Sequence, residues 1–148
     1  MIKSLAALAV SGCLLVGSPA FADDFGSSAE AKAMLDKAVM ALKTNKAEAL
    51  TMFIKGEGGF KSKDLYPFCG GPDGNFTAHP TLVGKSLKDL KDKTGKALGE
   101  EMYKVAAEGK TAEVMYMWPR PAGGDPVEKV SYVTKVGDQV CAVGYYKQ

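Results

Sequence analysis

One histidine and three cysteines are all that this chain of 148 residues offers of those types. No Cys-x-x-Cys-His haem attachment occurs, one histidine cannot make a His-x-x-x-His pair, and a single imidazole with scattered carboxylates would bind a metal weakly and unselectively. No serine sits in a nucleophile elbow, and a Cys/His pair would need a reduced thiol beside His79. We therefore expect no enzymatic activity, no cofactor and no metal. A dominant charge is missing too: 19 Lys+Arg against 17 Asp+Glu leave +2, too balanced for a nucleic-acid partner. The longest apolar run, about 12 residues near the N-terminus, is too short to cross about 30 Å of hydrocarbon. Internal repeats and low-complexity linkers are also lacking.

That short apolar run has a different meaning. Lys3 supplies a positive start, residues 5–16 are apolar, and Ala20-Phe21-Ala22 is a small-x-small cleavage site. This pattern predicts a secretory signal over residues 1–22, cleaved after Ala22, and a mature domain over residues 23–148 in the periplasm or outside the cell. Val10-Ser11-Gly12-Cys13 supports a competing reading in which Cys13 is acylated as a lipoprotein anchor. Against it, Leu14, Leu15 and Val16 continue the apolar run beyond the cysteine.

With Cys13 in the leader, Cys69 and Cys141 remain, and an oxidising compartment favours their pairing. A bridge across a loop of about 70 residues contributes roughly 4 kcal/mol. Two reduced, buried thiols are the alternative.

Along the mature chain, Ala31, Met34, Leu35, Ala38, Leu42, Ala49, Leu50 and Phe53 recur at helical spacing. Ser28 is a fair N-cap, Thr44-Asn45 marks a bend or break, and Gly56-Glu57-Gly58-Gly59 ends the helix. Residues 65–69 and 76–80 flank Pro72-Asp73-Gly74-Asn75 as a hairpin, with Pro67 implying a bulge or an edge. Residues 98–107 form a second helix, ending at Gly109. Residues 111–118, 127–136 and 139–146 read as three strands in a meander. The order predicts an α+β domain: a long N-terminal helix, a helical crossover and a five-stranded antiparallel sheet. Dispersed methionines, Met34, Met40, Met52, Met102, Met115 and Met117, fit core packing better than copper binding.

Ala78-His79-Pro80, Val83-Gly84-Lys85, Leu87-x-x-Leu90-x-Asp92, Gly95 and Tyr116-x-Trp118-Pro119 occur in series. Over about residues 28–147 the chain thereby resembles a single Cache domain of type 2. The resemblance implies a PAS-like extracytoplasmic sheet that binds small ligands, often carboxylates, on behalf of receptors and kinases. It also implies that Tyr116, Trp118, Lys129 and Tyr132 face the ligand. Family members usually sit between membrane helices joined to a signalling module. Here neither is read, so information would pass to a separate membrane receptor or histidine kinase.

The residue types point the same way. Tyr66, Phe68, His79, Met102, Tyr103, Tyr116, Trp118, Lys129 and Tyr132 can make an aromatic cavity with a few polar anchors, as a small organic acid requires. Tyr116 and Trp118 are two apart and share a strand face, whereas Lys129 and Tyr132 are three apart and need a bulge or different roles. Aromatics on a sheet face also serve as core, a strand lysine ordinarily faces solvent, and His79 before Pro80 can simply cap its strand. The competing function is a closed-core interaction subunit that binds a receptor or kinase, or forms a homodimer, through the N-terminal helix.

Overall fold

A computed structural model describes residues 24–147. The expected signal sequence, its expected cleavage site and Cys13 lie outside the described residues. Three helices, α1 (Ser28–Thr44), α2 (Lys46–Lys55) and α3 (Leu98–Val105), accompany five strands. The strands are β1 (Pro67–Gly70), β2 (Phe76–Ala78), β3 (Ala112–Trp118), β4 (Val127–Val136) and β5 (Gln139–Tyr146). They form one antiparallel sheet in the order β2-β1-β5-β4-β3. The α+β reading therefore holds, with α3 and its flanking loops crossing from one sheet edge to the other.

Local chemistry sets the helix ends. The N-cap is Ser27, one residue before the expected Ser28. Its hydroxyl accepts from the Glu30 amide at 3.2 Å while Glu30 accepts from the Ser27 amide at 2.8 Å. Only Ser27 has a glutamate three positions on, which this reciprocal arrangement requires. At Asn45 the backbone turns extended, and its side chain accepts from the Glu48 amide at 3.2 Å, so one residue ends α1 and caps α2. Gly56, at φ +70°, ends α2 in the left-handed conformation that glycine adopts without strain.

Both faces of the sheet are covered, the helix-side face over β1, β5 and β4 but not over β3. On one, Ala31, Met34, Leu35, Ala38 and Leu42 of α1 and Phe53 of α2 pack with Leu65, Cys69, Cys141 and Val143. On the other, Phe68, Phe76, Leu87, Leu98, Met102, Val114, Tyr116 and Val133 form a second cluster beneath the crossover. Cys69 and Cys141 are opposed partners of β1 and β5 and form the disulfide, with Cα atoms 4.1 Å apart in the helix-side core. Pro67 opens β1 and pairs only with Val143 of β5, since β2 pairs from Cys69 onward, so it stands at a local edge of the sheet as expected. The register irregularity comes later, at Cys69/Gly70. Methionine packing divides, with Met34 and Met102 buried but Met40 and Met115 exposed. Met40 lies off the buried stripe of α1, and Met115 lies on β3, beyond the strands that α1 covers.

Asp92 fastens the crossover to the sheet. One carboxylate oxygen accepts from the Thr94 amide, the Thr94 hydroxyl and the Lys96 amide, and the other from the Met117 amide of β3 at 2.9 Å. These donors hold its carboxyl well below the usual carboxylate range. Among the described residues no helix is long and apolar enough to cross a membrane.

Candidate functional site

Between the crossover and the sheet lies a cavity lined by Tyr66, Phe68, Phe76, His79, Leu82, Leu90, Leu98, Tyr116, Trp118 and Lys129. Strand alternation builds its floor. Val114, Tyr116 and Trp118 take even positions on β3, and Lys129, Ser131 and Val133 odd positions on β4, all on the crossover side. The space inside is about 20 Å³, room for roughly one water. Outside it opens a cleft of about 360 Å³ lined by Pro80, Thr81, Pro119, Arg120, Pro121 and Tyr146 as well. Tyr66, His79, Leu82 and Trp118 border both, so these four side chains partition cleft from cavity.

Lys129 is the unusual member. Only 2% of it is exposed, and its ammonium lies 5.0 Å from the Tyr66 ring centroid and 4.8 Å from that of Tyr146. Burial pushes the ammonium down to about 8, and the Asp64 carboxylate opposes the shift. Among the described residues no side-chain carboxylate lies within salt-bridge distance of it. Two aromatic faces return about 2 kcal/mol each at best, against several for removing a charge from water. The site thus holds a cation whose compensation is incomplete.

His79 is a donor aimed by its backbone. Its Nδ1 accepts from the amides of Thr81 at 3.0 Å and Leu82 at 3.2 Å, which leaves the proton on Nε2. Burial, and then the charge of Lys129, lower its pKa to about 4, so the ring is neutral at physiological pH. Tyr66, Phe68 and Phe76 all make ring contacts with it. Capping and cavity lining are therefore combined in one residue. Tyr116 donates to or accepts from Ser131 at 2.8 Å, and burial raises its phenol further above the usual tyrosine range.

Of the nine candidates, Tyr66, Phe68, His79, Tyr116, Trp118 and Lys129 come together here. Met102, Tyr103 and Tyr132 do not. Met102 is wholly buried in the core beneath α3, and the Tyr103 hydroxyl donates to the Gly71 carbonyl at 2.7 Å, away from the cavity. Tyr132 stacks on Tyr145 and bonds Ser28 of α1 at 2.7 Å, on the opposite face. The cause is register: β4 pairs without interruption over 127–136, so residues three apart face opposite layers. Sequence reasoning missed Phe76, Leu82, Leu90 and Leu98. Phe76 carried a signal, standing beside the hairpin turn, but the leucines lie in or just after a loop without periodicity.

A family model described as Cache domain matches residues 31–147. Methyl-accepting chemotaxis protein McpP of Pseudomonas putida is 36% identical over 56 residues, 38% of this chain. The match takes in 10% of that receptor, so the chain aligns with only a small part of it. Among solved structures, a methyl-accepting chemotaxis protein from Vibrio parahaemolyticus superposes with a TM-score of 0.64 at 26% identity, covering 80% of this chain and 86% of that one. A Cache chemosensory domain solved for its carboxylic acid recognition superposes at 0.60, with 24% identity and 79% and 86% coverage. The latter similarity, at such identity, bears on fold alone.

Proposed function

This chain belongs to the Cache domain family, and we propose that it is an exported sensor module that binds a short-chain carboxylate without covalent chemistry. The carrying observation is the buried Lys129 ammonium, with aromatic rings on its flanks and, among the described residues, no side-chain carboxylate in salt-bridge contact. An anionic group placed beside it supplies the missing counter-charge. The Nε2–H of His79 and the indole of Trp118 offer further donors, while Tyr66, Phe68 and Tyr116 enclose the carbon chain. Because the cavity holds little more than a water, the ligand's seat spans cavity and cleft. Binding then requires the four shared side chains to move apart. The carboxylic acid named for one structural relative is consistent with this choice of ligand class.

Export follows from the leader, and mass spectrometry of the exported chain tests it: an N-terminus at Asp23 fits signal cleavage, and an acylated Cys13 fits the lipoprotein. Ligand binding is tested by a thermal-shift screen of small organic acids, amino acids and polyamines. A ligand at 100 times its dissociation constant adds roughly 2.7 kcal/mol. A shift with acids of two to four carbons supports the sensor, whose occupancy a separate receptor or kinase would read.

The small cavity also favours a second reading, a closed-core subunit that binds its receptor or kinase through a surface. On α1 and α2 the large exposed apolar side chains are Met40 and Ile54, separate rather than a stripe. Absence of any ligand shift, together with capture of a defined receptor ectodomain, would move the assignment there.

A further inference from the structure

Asp64 lies in the loop before β1 and lines neither cavity nor cleft, yet it reaches both the segment that enters α1 and a residue of the cleft wall. Its Oδ1 accepts from the Gly26 amide at 2.7 Å in a buried bond. Among the described residues its Oδ2 has no hydrogen-bond partner, and it lies 3.9 Å from Nη1 of Arg120, an atom likewise buried without one. Arg120 in turn lines the cleft and stands 4.0 Å over the Phe25 ring and 4.8 Å over that of Tyr146. The segment entering α1 is fitted closely at this point: a Cβ on Gly26 would meet the Leu65 side chain at 2.2 Å. The same Tyr146 ring lies 4.8 Å from the Lys129 ammonium, so the Asp64–Arg120 pair and the cavity cation meet across one side chain, and the Asp64 charge acts on that ammonium.

An anion on Lys129 changes the balance at Asp64. It neutralises the cation that draws the carboxylate inward, and it repels the carboxylate directly. Arg120 is the nearest alternative partner, a few tenths of an ångström beyond hydrogen-bond reach. A small rotation of Asp64 onto Arg120 weakens the bond to Gly26. We propose that the Asp64–Arg120 pair is a positioning element that couples occupancy of the Lys129 cavity to the Phe25–Gly26 segment at the entrance of α1. This inference rests on reading the cavity as an anion site. Coupling requires a group with two arrangements that both ends bias, and the second arrangement proposed for Asp64 is the one turned onto Arg120.

The test is amide hydrogen exchange at Gly26, resolved by NMR on the purified chain, with sodium acetate, propionate and succinate as probes. Saturation with a probe that binds is expected to speed exchange at Gly26 by about threefold or more. Lys129→Gln without any probe should act in the same direction, since it also removes the cation. Asp64→Asn keeps an acceptor for Gly26 but loses the charge, so the response to a bound probe should vanish. If that variant does not fold, Arg120→Gln replaces it and should shrink the response by removing the alternative partner. Binding without any change at Gly26, or a response that survives in both Asp64→Asn and Arg120→Gln, overturns the coupling. If no probe binds, the anion-site reading fails separately and the Lys129→Gln result alone decides: faster exchange supports the coupling and unchanged exchange overturns it.

Discussion

The Lys129 ammonium lies 5.0 Å from the centroid of Tyr66, a ring that also separates the cavity from the outer cleft. Binding and stability therefore oppose one another at this position. Lys129→Gln should weaken carboxylate binding by roughly thirtyfold or more, as expected for loss of a desolvated charge pair. The same change should leave the empty protein as stable or more stable, by about 1–3 kcal/mol, because a buried cation disappears. Calorimetric titration and thermal melts of one variant check both. A fall in stability with undiminished affinity would remove Lys129 from the site.

The pH profile of binding separates Lys129 from His79. The ammonium, pushed down to about 8 by burial, loses its charge as pH rises through that value. Affinity should be flat below about pH 7 and then fall toward tenfold per unit above about 8. His79, lowered to about 4, stays neutral across this range, so no step is expected near pH 6.5. A bell centred near neutrality would contradict both assignments.

His79 instead governs part of the acid limb of stability. Its folded pKa lies below the unfolded value, so between about pH 6.5 and 4 the unfolded chain binds a proton that the native ring refuses. Stability should decline as pH falls through that window, by about 1–2 kcal/mol once solvent screening of the partly exposed ring is allowed for. His79→Gln should flatten that limb, as read by urea unfolding at several pH values. Glu30, held at about 2 by its capping bonds and Lys63, loses its contribution only at lower pH, so the two windows separate.

Much of the frame was legible because it rests on periodicity and turn chemistry. Strands β4 and β5 begin and end where the alternation does, Asn45 breaks the helix where a capping residue interrupts the apolar stripe, and the two cysteines pair. The site was less legible because it joins segments by tertiary placement. Spacing alone raised doubt about placing Lys129 and Tyr132 together, and the uninterrupted β4 register settles it. Leu82 and Leu90 arrive from the crossover loop, whose path Asp92 fixes through bonds to Thr94, Lys96 and Met117. No local pattern announces such a path. The roles of Asp64 and Arg120 were equally hidden, since the two are far apart in sequence.

The Cys69–Cys141 bridge joins directly opposed residues of two interior strands and is fully buried. Reductant alone should therefore leave the native protein unaffected, since a thiolate must reach the sulfurs through an opened structure. Once unfolded in reductant, or as the Cys69→Ser/Cys141→Ser variant, the chain should be less stable by roughly 4 kcal/mol, a fall of order 10 °C or more in melting temperature. Calorimetry with and without reductant checks this. Equal melting temperatures after full reduction would mean that sheet pairing alone constrains the loop.

Gly144 tests whether the position of Lys129, and not only its charge, matters. This β5 glycine lies beside β4 on the cavity side, where an added Cβ would stand 2.6 Å from Cε of Lys129 and 2.6 Å from Oγ of Ser131. Ser131 holds the Tyr116 hydroxyl, so the methyl of Gly144→Ala presses on two supports of the cavity floor at once. Relief is available only by swinging the flexible lysine toward the cavity or by shifting the strand. The expected result is a stability loss of about 1–3 kcal/mol, as for other overpacked sites. Carboxylate affinity should fall with it, although every ionisable group is retained. Leu35→Ala is the control, because it opens a void in the helix-side core, on the face of the sheet opposite Lys129. It should cost at least as much stability while the folded fraction keeps more of its affinity. If both variants lose affinity in proportion to stability, the cavity responds to general loosening, and the placement of the ammonium has no special weight.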